Sequence, residues 1–97
     1  MGIEYEVIPH DVDAYRRQRD VLARQAETLP TFAHRYGPYA VGLSDGAKYD
    51  ERWGDPVQLE FAENSMQILC IMPLRDALLA DVRELMRMIG VTELVEL

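Results

Sequence analysis

Apolar and polar side chains alternate most regularly between residues 56 and 90. Val57, Leu59 and Phe61 alternate with Gln58, Glu60 and Ala62, the period of two of a strand with one buried face. Beyond Glu63-Asn64 the alternation resumes from Ser65 to Met72, with Met66, Ile68, Cys70 and Met72 on one side. With Glu63-Asn64 as the turn, paired residues have indices that sum to 127, so Phe61 faces Met66, Leu59 faces Ile68 and Val57 faces Cys70. The two apolar faces then coincide, and a slip of one residue would put one strand's core set into water. Pro73 suits the first turn of a helix over 74–89. Leu78, Val82, Leu85 and Ile89 form its apolar stripe, widened by Leu79 and Met86. Gly90 stands where a left-handed cap residue belongs, with Val91 as its apolar partner.

Upstream, Ile3, Tyr5 and Val7 alternate with Glu4 and Glu6, which predicts a strand over 3–8 ended by Pro9. Asp11 is a good N-cap, and Asp13 puts a second carboxylate in the first turn of a helix running from 12 to Leu29, before Pro30. Residues 30–55 read as an irregular aromatic-rich loop. Pro30, Gly37, Pro38, Gly42, Gly46 and Gly54 punctuate it, and it holds Phe32, Tyr36, Tyr39, Tyr49 and Trp53. A short strand over Tyr39, Val41 and Leu43 and a turn at Ser44-Asp45-Gly46 fall within it. A loop this long is either functional or hides a further element. Val91 to Leu97 has no clean period, which leaves a closing edge strand and an extension packed on a partner both open.

These elements give a single α+β domain over 1–97 in the order β-α-(β)-β-β-α-(β). It is an antiparallel sheet of three to five strands with two helices on one face. With the tail as a strand, the order approximates a ferredoxin-like βαββαβ fold with an expanded loop after the first helix.

Composition adds limits. At 97 residues and 48% apolar, the chain can build one core without disulfide or metal staples. Cys70, the single cysteine, rules out an internal disulfide and reads as a small buried hydrophobe in a reducing compartment. The acidic start is unlike a secretory signal, and no apolar run approaches a membrane span, so the expectation is a soluble cytoplasmic protein. The net charge is −7. Residues 1–50 carry eight acids against six bases, and residues 51–97 carry nine against four. That balance argues against direct nucleic-acid binding. It suits solubility alone, or a basic partner such as a nucleic-acid-binding protein.

The sheet register also defines the face turned away from the helices: Glu4, Glu6, Gln58, Glu60, Gln67, Leu69 and Ile71. Leu69 and Ile71 are apolar there, so something should cover them, whether the 30–55 stretch, the tail or a second molecule. An apolar centre rimmed by carboxylates has the anatomy of an interface. Glu4, Glu6, Glu60, Leu69 and Ile71, with Tyr36, Tyr39, Tyr49 and Trp53 of the loop, are therefore the candidate partner-binding residues. The first helix gathers Arg16, Arg17, Arg19 and Arg24, with Asp20 spaced to pair with Arg16 or Arg24. This is a solvated face or an anion contact, and Arg16, Arg17 and Arg19 join His34 and Arg35 as candidate anion or ligand contacts.

Catalytic chemistry has little support. The chain holds no phosphate-binding glycine loop, no Cys-x-x-Cys and no Gly-x-Ser-x-Gly. His10, Asp11 and Asp13 offer metal-ligand side chains at a helix start, where capping already explains the carboxylates. Asp45, Asp50, Glu51 and Asp55 lack the spacing of a calcium loop. No catalytic residue, metal or cofactor is assigned. His34-Arg35-Tyr36 is the one group suited to a proton and an anionic substrate.

Two functions follow. The first is a small acidic module that occupies a partner protein's surface, of the inhibitor, immunity, antitoxin or anti-defence kind. The second is a dimeric ferredoxin-like domain, joined through the open sheet face, that binds or transforms a small molecule near His34 and Trp53. A structural subunit of a larger assembly is a third.

Overall fold

The structure, a computed structural model, describes residues 2–46 and 54–97. Along the chain these form β1 (Ile3–Val7), α1 (Val12–Ala26), β2 (Phe32–Gly37), β3 (Ala40–Leu43), β4 (Val57–Phe61), β5 (Met66–Cys70), α2 (Asp76–Met88) and β6 (Val95–Glu96). The strands make one antiparallel sheet in the order β2-β3-β4-β5-β1-β6. The helices touch each other and share one core with the inward residues of the sheet, so they cover one face of it.

The β4–β5 hairpin forms in the register that the alternation predicts, with Val57 opposite Cys70, Leu59 opposite Ile68 and Phe61 opposite Met66. All six of these side chains are buried. They meet Tyr15, Leu22, Ala23 and Ala26 of α1 and Leu78, Val82, Leu85 and Met86 of α2. Tyr15 fastens the start of α1 to the hairpin. Its hydroxyl lies 2.7 Å from the Ala62 carbonyl and 2.8 Å from that of Ser65, at the hairpin turn. Asp81 ties α2 to the segment that enters β2 by accepting from the Thr31 backbone N–H (3.0 Å) and hydroxyl (2.6 Å).

The helix ends follow local chemistry. Asp11 caps α1, accepting from the Ala14 N–H at 3.0 Å. The helix stops at Ala26 rather than Leu29 because the Thr28 hydroxyl takes the Gln25 carbonyl (2.7 Å), and the chain tightens into three-residue bonds from Thr28 and Leu29. Helix α2 begins at Asp76 rather than 74. Arg75 is extended and Asp76 takes φ 51°, an abrupt entry after Pro73 that leaves Leu74 against the core. At its other end Val91 donates to the Met86 carbonyl and Gly90 to that of Arg87, both at 3.1 Å, with Gly90 at φ 70°. This is the paired-bond helix terminus expected of Gly90, and Val91 is buried beside it.

The sheet holds six strands among the described residues, not three to five. The addition is β2, in the stretch read as irregular loop. Its pairing with β3 slips between Phe32 and His34 and again between Arg35 and Gly37, which breaks the period of two. The tail, for which the sequence leaves an edge strand and an extension both open, supplies β6, two residues paired with Tyr5 and Glu6. No helix among the described residues is long and apolar enough to cross a membrane.

Candidate functional site on the open sheet face

Residues paired across an antiparallel sheet share a face, so the register orders the uncovered side into rows. One row runs Glu4, Leu69, Gln58, Gly42, His34 across β1, β5, β4, β3 and β2. The next runs Glu6, Gln67, Glu60, Ala40, Gly37. Carboxylates sit on the β1 side and at the middle, with the leucine between them. The sheet encloses here a shallow groove of about 490 Å³, lined among others by Glu4, Gln58, Glu60, Gln67, Leu69, Tyr36 and Leu97. Leu69 is half-buried, whereas Leu97 is 69% exposed and Tyr36 is 51% exposed.

At the β2 end of the first row lies a polar cluster. The absence of a side chain at Gly42 leaves room for the Asp55 carboxylate: a Cβ there would stand 2.0 Å from Asp55 Oδ2 and 2.9 Å from a ring carbon of Tyr36. Asp55 is thereby buried against the sheet at 7% exposure. It accepts from His34 Nδ1, which lies 3.0 and 2.8 Å from its two oxygens, and from the Tyr36 hydroxyl. The two rings stack with centroids 6.2 Å apart. A buried carboxylate thus carries two exposed rings. Burial, and then the adjoining Asp55 carboxylate, raise the Tyr36 phenol above its ordinary range, so it remains a donor. In the neutral ring, a proton on Nδ1 makes Nε2 the acceptor nitrogen.

Of the residues singled out from sequence, Glu4, Glu60, Leu69 and Tyr36 line the one groove. Glu6 is half-buried and accepts from the Ser65 hydroxyl at 3.1 Å, and Ile71 is half-buried beyond the end of β5. Tyr39 packs toward the core and carries the Arg19 guanidinium 3.9 Å above its ring. Arg19 also donates twice to the Phe61 carbonyl, at 3.0 and 2.8 Å. Arg16 donates to the Glu63 carbonyl at 3.2 Å and to the Asn64 side chain. These two arginines tie α1 to the β4–β5 hairpin; Arg17 is exposed. Arg35 pairs with Glu27 and donates to the Gly37 (3.0 Å) and Pro38 (2.8 Å) carbonyls, closing the β2–β3 turn. His34 alone of that list adjoins the open face. Tyr49 and Trp53 lie outside the described residues.

Gln58 and Gln67, placed on this face by the register, also line the groove; Gly42, Asp55 and Leu97 complete the site and are not among the candidates read from sequence. Gly42 carried a signal, because a glycine inside an alternating strand often marks close approach by another group. Among the described residues no three His, Cys, Asp or Glu side chains are grouped to hold a metal ion. No protein-family model, no curated protein and no solved structure matches the chain.

Proposed function

We propose that this chain is a non-catalytic binding module whose open sheet face seats on a basic surface of a partner protein, in the manner of an inhibitor, immunity protein, antitoxin or anti-defence factor. The groove carries the reading: Glu4 and Glu60 flank the apolar Leu69 on a face that neither helix covers. Charge decides between occupants. Two copies stacked face to face would oppose Glu4 and Glu60 of one with those of the other, which is unfavourable, whereas a basic surface neutralises them. The net charge of −7 extends the same preference beyond the groove.

The test is capture from cell lysate with three forms of the protein: wild type, Glu4→Lys/Glu60→Lys, and Arg83→Glu on the exposed side of α2. A protein retained by wild type and Arg83→Glu but lost by the double variant supports the reading. Equal retention by all three, or none by any, overturns it. Leu69→Lys should fold, by circular dichroism, and lose the same partner.

The strand order β4-β5-β1-β6, with α1 and α2 as crossovers, supports a ferredoxin-like description of that part of the sheet, with the β2–β3 hairpin added beyond β4. Such an architecture carries no function of its own. A cytoplasmic setting belongs to the proposal and is consistent with the lone buried thiol of Cys70. A second reading, a small-molecule site at His34, is favoured by the hold of Asp55 on Nδ1. There, His34→Ala would abolish ligand binding and Glu4→Lys would spare it; the reverse pattern excludes it.

A further inference from the structure

Asp55 holds in place two rings that solvent reaches. The His34 side chain is 67% exposed, and Tyr36 is about half exposed, yet both bond to one buried carboxylate over Gly42. An exposed tyrosine ordinarily samples several rotamers; this one is tethered at its hydroxyl and stacked on one side against His34, which leaves the other face for a ligand. It also shares the groove with Glu60 and Glu4. A fixed π-face and carboxylates in one groove have complementary uses: the ring attracts a cation by its quadrupole, and the carboxylates neutralise it. A planar guanidinium satisfies both at once, lying flat on the ring while its edge N–H groups fork to a carboxylate. A lysine ammonium is a compact, strongly hydrated charge that stacks less well. Arg19 over Tyr39 already shows this pairing within the protein, on the helix side.

We infer that Tyr36, fixed by Asp55, is the arginine-reading position of the open face: the partner segment inserts an arginine side chain between the Tyr36 ring and Glu60. This rests on the binding-module reading and names the residue chemistry it selects. Tyr36 contributes the stacking face, Glu60, two strands from β2, contributes the charge, and Asp55 is a positioning residue that acts through Tyr36. Binding energy is gained because the ring need not be ordered on association.

Capped hexa-arginine and hexa-lysine peptides, titrated into the ¹⁵N-labelled protein and followed by amide shifts, test this. The expected result is that both perturb Gln67 and Leu69, that hexa-arginine binds roughly two- to fivefold more tightly, and that the preference vanishes in Tyr36→Leu. Tyr36→Phe keeps the ring and loses the tether, so it should retain part of the preference; dispersed spectra of both variants establish folding. Equal affinities, or a preference unchanged in Tyr36→Leu, overturn the inference and leave the binding module standing. Shifts confined to residues outside the groove for both peptides overturn the two together.

Discussion

Glycine within a strand usually weakens it, and position 42 shows what is obtained in exchange. The missing side chain admits the Asp55 carboxylate to the sheet surface, and the carboxylate in turn orients His34 and Tyr36. Gly42→Ala should therefore destabilise the fold by about 1–3 kcal/mol in urea titration, the range for forcing atoms into occupied space. It should also release the Tyr36 ring, seen as averaging of its aromatic resonances. This cluster was only partly legible in the sequence. His34 and Tyr36 drew attention as neighbours in an aromatic stretch, but Asp55 lies 21 residues from one and 19 from the other, and no local spacing joins them. Two other buried residues govern behaviour in alkali. Burial pushes the Cys70 thiol up from 9.0 to about 12 and the Tyr15 phenol from 10.0 to about 12. Both are neutral acids in the fold that ionise more readily in the unfolded chain. Their stabilisation is thus complete below pH 9, and it is lost as pH climbs toward 12. Denaturation midpoints should fall from about pH 9 upward, and Cys70→Ala should move that onset to near pH 10.

At the level of elements, the regular ones were legible because local pattern and tertiary demand agree. The β4–β5 register follows from alternation, the start of α1 from Asp11, and the end of α2 from Gly90. Their contributions are open to measurement. Gly90→Ala meets no atom within 4 Å, so its cost is that of a side chain at φ 70°, about 1–2 kcal/mol in urea titration. Asp11→Ala removes the cap and should cost roughly 0.5–2 kcal/mol by the same measurement. Strand β2 was hidden for an equally physical reason. Phe32-Ala33-His34-Arg35-Tyr36-Gly37 lies at a sheet edge with two slips against β3, so no one face collects its apolar residues. Its closure uses Arg35, whose local bonds to the Gly37 and Pro38 carbonyls are side-chain contacts that alternation does not encode. Strand β6 is too short to show a period at all.

For the whole molecule, the division between faces matters most. The helices cover one side of the sheet, and Arg16 and Arg19 are engaged in holding α1 to it. The other side keeps a carboxylate-bearing groove. Association driven by such a face should slow as salt rises, with the dissociation rate changing less. Rates from stopped-flow mixing at several ionic strengths, with whichever partner is captured, check this; a salt-independent association rate would remove charge from the account. Leu97 lines the groove, and its backbone N–H donates to the Glu4 carbonyl at 2.8 Å beside the two-residue β6. That position has a practical meaning for handling the protein. A purification tag or fluorescent fusion joined directly after Leu97 would emerge at the rim of the groove and shield it, and one joined directly before Ile3 would emerge beside it, because β6 runs antiparallel to β1, so a partner lost to a directly joined label should return when a long flexible linker separates the two.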